Sequence, residues 1–232
     1  MIQAFFDINN IFFTLWGYPM SYLEFFGTIL NIITVWLVAK KNIWNWPVGI
    51  VAVILFAVLF YQIRLYSDFF EQIYFLFTGI WGWVVWTKLR SAETKETKTT
   101  IKASTWQCNF LVLFAIALGT LVLGAFMSRI HIFFPAFFPE ATTFPFLDAF
   151  TTVASFAAQI LLIYQRVENW YLWIIIDVIG VWLYNEKEVK FVAILYFIFL
   201  ILATNGLIRW QREIRAHQEA LRQPKREEGE VV

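Results

Sequence analysis

The chain has 232 residues, of which 60% are apolar, 20% aromatic and only 15% charged, with a net charge of +1. So little polar surface cannot cover a water-soluble globule of this length, which places the chain in a bilayer. The charges gather in short stretches around 88–102 and 209–230, where basic residues flank apolar spans and interleave with Glu, a pattern that excludes a nucleic-acid surface.

Residues 1–20 hold no Lys or Arg and no small-residue cleavage site, so no signal peptide is expected there. Phe5, Phe6, Ile8, Phe12, Phe13 and Trp16 read as an interfacial segment lying on the membrane. A hydrocarbon core about 30 Å thick needs about 20 helical residues. Seven stretches qualify: 21–39, 44–63, 67–88, 107–129, 148–164, 168–185 and 189–210. The breaks between them carry Lys40-Lys41-Asn42, Arg64 to Ser67, Ser91 to Lys102, Pro135 to Pro145, Gln165-Arg166 and Asn185 to Lys190.

Shifting the chain against itself by 124 residues superposes Asn45-Trp46 on Asn169-Trp170, Gly82 on Gly206 and Trp86 on Trp210 without a gap. The shift carries the first three spans onto the last three and leaves the fourth as a connector, so the chain is read as a duplicated unit. A single connector keeps both units in the same sense. The expected fold is therefore an all-α membrane protein of seven transmembrane helices in a 3+1+3 arrangement, two parallel three-helix repeats joined by a connector helix. Its parts are an interfacial segment (1–20), repeat one (21–90), a linker with connector and outer loop (91–147), repeat two (148–210) and a charged cytoplasmic tail (211–232). With the N-terminus outside, cytoplasmic segments hold 14 of the 18 Lys and Arg, counted from Lys40 to Arg226, and the outer segments hold Arg64, Arg129, Lys187 and Lys190. The positive-inside rule then favours N-out, C-in.

In the third span Asp68, Gln72, Phe75, Gly79, Gly82 and Trp86 follow alternating steps of four and three, and line one helical stripe. Its counterpart is Val192, Tyr196, Phe199, Ala203, Gly206 and Trp210. The small residues suit close helix packing. The polar and aromatic ones are candidates for contact with a solute. Asp177 lies about 10 Å into the sixth span at 1.5 Å per residue, and a carboxylate there must face a cavity or a partner. Trp173, Asp177, Gly180 and Tyr184 share one face, with Val178, Trp182 and Asn185 beside it. Such an aromatic cage backed by an anion suits a flat, cationic or hydrogen-bonding ring. Gln62, Tyr66 and Asp68 cluster at the outer end of spans two and three as a pathway mouth. Glu24 and Asp148 are repeat mates that meet positive helix ends, and Glu168 with Asn169 reads as a first-turn signal. The single Cys108 reads as a buried inert thiol and allows neither an internal disulfide nor a thiolate metal site. His131 and His217 have no ligand spacing, so no metal or cofactor is expected.

Three segments of the first half resemble the PnuC-type nicotinamide riboside transporter family: Trp44-Asn45-Trp46-Pro47-Val48-Gly49, Tyr61-Gln62-Ile63-Arg64-Leu65-Tyr66, and Gln72 through Gly82-Trp83-Val84-Val85-Trp86. The second half is similar to the same family at Phe144-Pro145-Phe146-Leu147-Asp148, Val167-Glu168-Asn169-Trp170-Tyr171-Leu172-Trp173, and Tyr196 through Asn205-Gly206 to Trp210. The resemblance implies a full-length SWEET-like fold in a bacterial inner membrane, a central site, and facilitated diffusion with trapping by cytoplasmic phosphorylation. It also implies a homotrimer. On that resemblance Trp182 or Trp173, with Tyr196, would stack on the pyridinium, while Gln72, Asn185, Asn205 and Asp177 would bind its amide or ribose. Trp46, Gln62, Tyr66 and Asp68 would belong to the pathway or its gates.

Relatives of this architecture carry thiamine or riboflavin, and the polar residues here exclude neither. The lack of a basic residue deep in any span counts against phosphorylated cargo. A retinal-type receptor would need a lysine inside the last span, where 191–208 has none, which leaves a seven-helix receptor sensing some other ligand as the further alternative. An intramembrane enzyme would need a nucleophile and base or paired carboxylates, while Asp177 is the principal deep ionisable group, so no enzyme is expected.

Overall fold

The structure is a computed structural model that describes residues 5–15, 17–63, 66–92, 100–135, 143–186 and 190–222. Among these, eight helices follow a short antiparallel hairpin: β1 (Ile11–Leu15), β2 (Tyr18–Ser21), α1 (Tyr22–Ala39), α2 (Asn45–Gln62), α3 (Tyr66–Ala92), α4 (Trp106–Met127), α5 (Ile130–Phe133), α6 (Pro145–Ile163), α7 (Asn169–Glu186) and α8 (Lys190–Arg222). The hairpin is a departure from the all-helical expectation. Strand pairing satisfies backbone groups that a lone segment would leave open, and the Phe12 ring packs on Tyr22 and Phe25 of α1 at 4.6 and 5.1 Å. Ser21 ends β2 and caps α1, its Oγ accepting from the Glu24 amide at 3.3 Å. The half-buried Glu24 carboxylate accepts from the Tyr18 hydroxyl at 2.6 Å. Burial, then the Glu24 carboxylate, push the Tyr18 hydroxyl up, so that it remains a donor.

Among the described residues, five helices are long and apolar enough to cross a membrane: α1, α2, α4, α6 and, over Val192–Ala220, α8. The other two long helices, α3 and α7, carry Asp68, Glu71, Gln72 and Asp177 among their aromatics. The chain is an integral membrane protein. Helix α8 runs on to Arg222, so the charged tail expected from 211 begins as helix. Cys108, read as buried, is half-buried near the start of α4.

Helix α1 packs on α2, α2 on α3, α3 on α6, α6 on α7, α7 on α8, and α8 returns to α1. Six helices thus close a ring, with α4 lying against α6 and exposing Phe110, Leu111, Phe114 and Val122. Within lipid the helices gain nothing from leaving an apolar solvent, so close packing must hold them. The internal shift of 124 residues reappears as geometry. Lys41 and Gln165, which follow α1 and α6, both have left-handed backbone, with φ of 54° and 52°. Asn42 N donates to Leu37 O at 2.9 Å, and Arg166 N donates to Leu161 O at 2.8 Å. Asn45 Nδ2 returns to Asn42 O at 2.7 Å as Asn169 Nδ2 does to Arg166 O at 2.5 Å. The same αL turn therefore starts α2 and α7.

Both turns lie at one end of the ring, where four tryptophans form a row across the halves. Trp46 meets Trp86 edge-on at 5.3 Å, Trp86 lies 6.4 Å from Trp210, and Trp210 meets Trp170 edge-on at 5.5 Å. Gly82 and Gly206 make room: a Cβ on either would overlap the ring of Trp46 or Trp170. The Trp86 Nε1 donates to Ile163 O at 3.2 Å, tying α3 to the end of α6. Residues 102–104 strap this end, with Lys102 N donating to Gln165 O at 3.1 Å and Ser104 N to Glu168 Oε1 at 2.7 Å. Glu168, read as a helix-start signal, is thus the strap's anchor.

Candidate functional site

The stripe of α3 divides by height. Toward the Trp row it serves packing: Gly82 admits Trp46, and Gly79 approaches Ile50 of α2 at ordinary contact distance. Toward the opposite end its neighbours change. Asp68 and, three residues on, Glu71 face the interior together with groups from α6, α7 and α8.

The centre of this second region is an aromatic pair. Tyr184 of α7 stacks on Tyr196 of α8 with centroids 5.3 Å apart and planes 18° apart, and the two hydroxyls are hydrogen-bond partners. Gly180, one turn before Tyr184, permits this approach because a Cβ there would overlap the Tyr196 ring. Asp177, a further turn back on the same face, is only 5% exposed. Asp68, Glu71 and Asp148 lie within electrostatic reach of the Tyr184 hydroxyl, and Asp68, Glu71 and Asp177 within reach of Tyr196. Acidic groups from three helices, Asp68 and Glu71 of α3, Asp148 of α6 and Asp177 of α7, thus act on one or both members of the stacked phenol pair. Tyr74 closes the side toward α6, its hydroxyl donating to Phe156 O at 3.0 Å and its ring lying 4.0 Å from that of Phe156.

The structure brings together Asp177, Tyr184, Tyr196 and Asp68 of the residues singled out from sequence. It separates the others. Trp182 is 50% exposed and shares its outer stripe with Tyr171, Ile175 and Val178, its ring lying 6.1 Å from that of Phe144. Asn185 and Asn205 are exposed, and Trp173 packs into the core between α6 and α7. Gln72 lines an open groove of about 460 Å³ between α2 and α3 with Gln62 and Tyr61. Gln62 also ties the N-terminal segment down, Nε2 donating to Phe6 O at 2.7 Å and Oε1 accepting from Ile8 N at 3.2 Å. The Tyr66 side chain lies outside the described residues. Trp46 is buried in the Trp row. Among the described residues no group of three His, Cys, Asp or Glu could hold a metal ion.

Glu71 and Asp148 were not foreseen here. A signal for Glu71 existed, since Asp68 and Glu71 stand one turn apart in an otherwise apolar helix and so share a face. For Asp148 no local signal exists, because its place in the first turn of α6 satisfies the helix dipole alone.

Comparison with known proteins bears on this arrangement. A profile of the nicotinamide mononucleotide transporter family matches residues 21–212. The chain is 32% identical over 232 residues to the nicotinamide riboside transporter PnuC of Escherichia coli strain K12, covering 91% of this chain and 95% of that one. It is 24% identical over 203 residues to the riboflavin/roseoflavin transporter RibM of Streptomyces davaonensis, covering 88% and 91%. It is similar to a crystal structure of the vitamin B3 transporter PnuC with a TM-score of 0.65 and 26% identity, covering 84% of this chain and 83% of that one. With that match running from the first turn before α1 into α8, the chain belongs to the nicotinamide mononucleotide transporter family, in its PnuC-type branch of membrane transporters.

Proposed function

We propose that this chain carries nicotinamide riboside across the membrane by facilitated diffusion, binding it beside the Tyr184–Tyr196 pair. The observation that carries the reading is the convergence of Asp68, Glu71, Asp148 and Asp177 on that pair. The riboside combines a flat pyridinium cation with a carboxamide and ribose hydroxyls. Tyrosine faces attract the cation, the carboxylates neutralise it, and phenol and carboxylate oxygens accept from its amide and hydroxyl groups.

The seven-span, 3+1+3 reading with parallel halves is supported by the matching turns at Lys41 and Gln165 and by the matching Trp–Gly contacts. In that reading the two halves rock about the site, and the Trp row is the inner gate. Three of its indoles, Trp46, Trp170 and Trp210, have no hydrogen-bond acceptor among the described residues, so shape more than hydrogen bonding holds the row closed. Lys40, Lys41 and Arg90 at that end support a cytoplasmic placement in a bacterial inner membrane, N-out and C-in. A homotrimer completes the reading and is checked by the mass of the detergent-solubilised assembly.

A second reading is riboflavin carriage, favoured by the similarity to RibM. Riboflavin has no fixed positive charge to answer four carboxylates. Calorimetric titration of purified protein with the riboside, riboflavin, thiamine and nicotinamide mononucleotide, paired with uptake into proteoliposomes, separates the readings. The riboside binding tightest and equilibrating without an ion gradient is the expected result. Riboflavin binding tightest would overturn it.

A further inference from the structure

Opposite the acidic site, at the end where the Trp row closes the ring, a cavity of about 420 Å³ opens between the end of α1, the end of α3 and the residues that strap the α6–α7 turn. Its wall carries Lys40, Lys41 and Arg90, with Thr100 and Gln165 as hydrogen-bonding groups joined to each other and, among the described residues, no Asp or Glu. Glu213 neutralises Lys41 at 3.0 Å. Among the described residues, Lys40 and Arg90 face no carboxylate, and the Lys40 Nζ rests 3.5 Å from the centre of the Trp36 ring. The cavity floor is Trp86, the central member of the Trp row.

Two cations that meet no carboxylate among the described residues line one concave space with a hydroxyl and an amide, and such a wall repels a pyridinium and attracts a compact anion. A guanidinium offers paired donors to phosphate oxygens, and an ammonium adds a second charge. We propose that this cavity is a phosphate-binding site, separate from the acidic transport site and independent of the identity of the cargo. The phosphate belongs either to a soluble phosphate monoester or to the headgroup of an anionic phospholipid. Either ligand would rest on Trp86 and so load the closed arrangement of the row.

The test uses the full-length protein. In neutral detergent it is titrated calorimetrically with inorganic phosphate and with adenosine monophosphate. In nanodiscs, native mass spectrometry compares retained phosphatidylglycerol with phosphatidylcholine. Lys40 and Arg90 are exposed, so the pair Lys40→Gln with Arg90→Gln leaves the fold intact, which the melting temperature checks. The expected result is binding of one phosphate source, weakened about tenfold or more by the Gln pair and kept within about threefold by Lys40→Arg with Arg90→Lys. Binding by the soluble monoester alone assigns a metabolite site, and retention of phosphatidylglycerol alone assigns a lipid site. Failure of both sources to bind, or equal binding by the Gln pair, would overturn the proposal.

Discussion

The indole of Trp170 occupies the space that a side chain on residue 206 would need, and Trp46 stands in the same relation to Gly82. Two helix crossings 124 residues apart thus use one solution, a large flat ring from the second helix of each half set against bare backbone of the third. In lipid, where dispersion contacts replace the hydrophobic effect, such a fit is what fixes the crossing.

Gly82→Ala and Gly206→Ala are therefore expected to destabilise the protein by about 1–3 kcal/mol each through overpacking. Gly79→Ala, whose added methyl would meet Ile50 at 3.4 Å, should be neutral or stabilising by up to about 1 kcal/mol, because Ala loses less backbone entropy in a helix. Thermal melting in detergent, followed by size exclusion, reads the difference. Equal changes at 79 and 206 would show that ring fit does not decide.

Asp177→Asn and Glu71→Gln should each weaken riboside binding about tenfold, the loss expected for one charge-assisted contact. Trp182→Ala, on the exposed outer stripe, should change it by less than about twofold. Calorimetry on the three variants checks this. An intact affinity at Asp177→Asn together with a large loss at Trp182→Ala would move the site to the other face of α7.

Trp86→Phe keeps most of the ring but removes the donor to Ile163 O, leaving the tie between α3 and α6 unmade. The expected cost is about 1 kcal/mol of stability, together with faster equilibration of solute in proteoliposomes as the row loosens. Unchanged flux would argue that the row does not open during transport.

The Lys41–Glu213 pair, with side chains 20% and 32% exposed, is expected to contribute little. A double-mutant cycle with Lys41→Gln and Glu213→Gln should return a coupling of about 0.2–1 kcal/mol that shrinks with salt. A coupling of several kcal/mol would mark the pair as a structural lock between the α1–α2 turn and α8.

Membrane residence and the positions of the long helices were legible in the linear chain, because each depends on composition or on spacing along one helix. Asn45-Trp46 with Asn169-Trp170, and Gly82 and Trp86 with Gly206 and Trp210, pointed to a repeat before any coordinates. Which polar residues meet was not legible. Asp68, Glu71, Asp148, Asp177, Tyr184 and Tyr196 come from four helices, and their convergence depends on the rotation of each helix about its axis. Trp182 and Asp177 are five residues apart on α7 yet point to different sides, and only the packing of α7 against α6 and α8 decides which side is inside. Periodicity defines the faces of a helix. The neighbours, through contacts such as Tyr196 on Gly180, choose the face that turns inward.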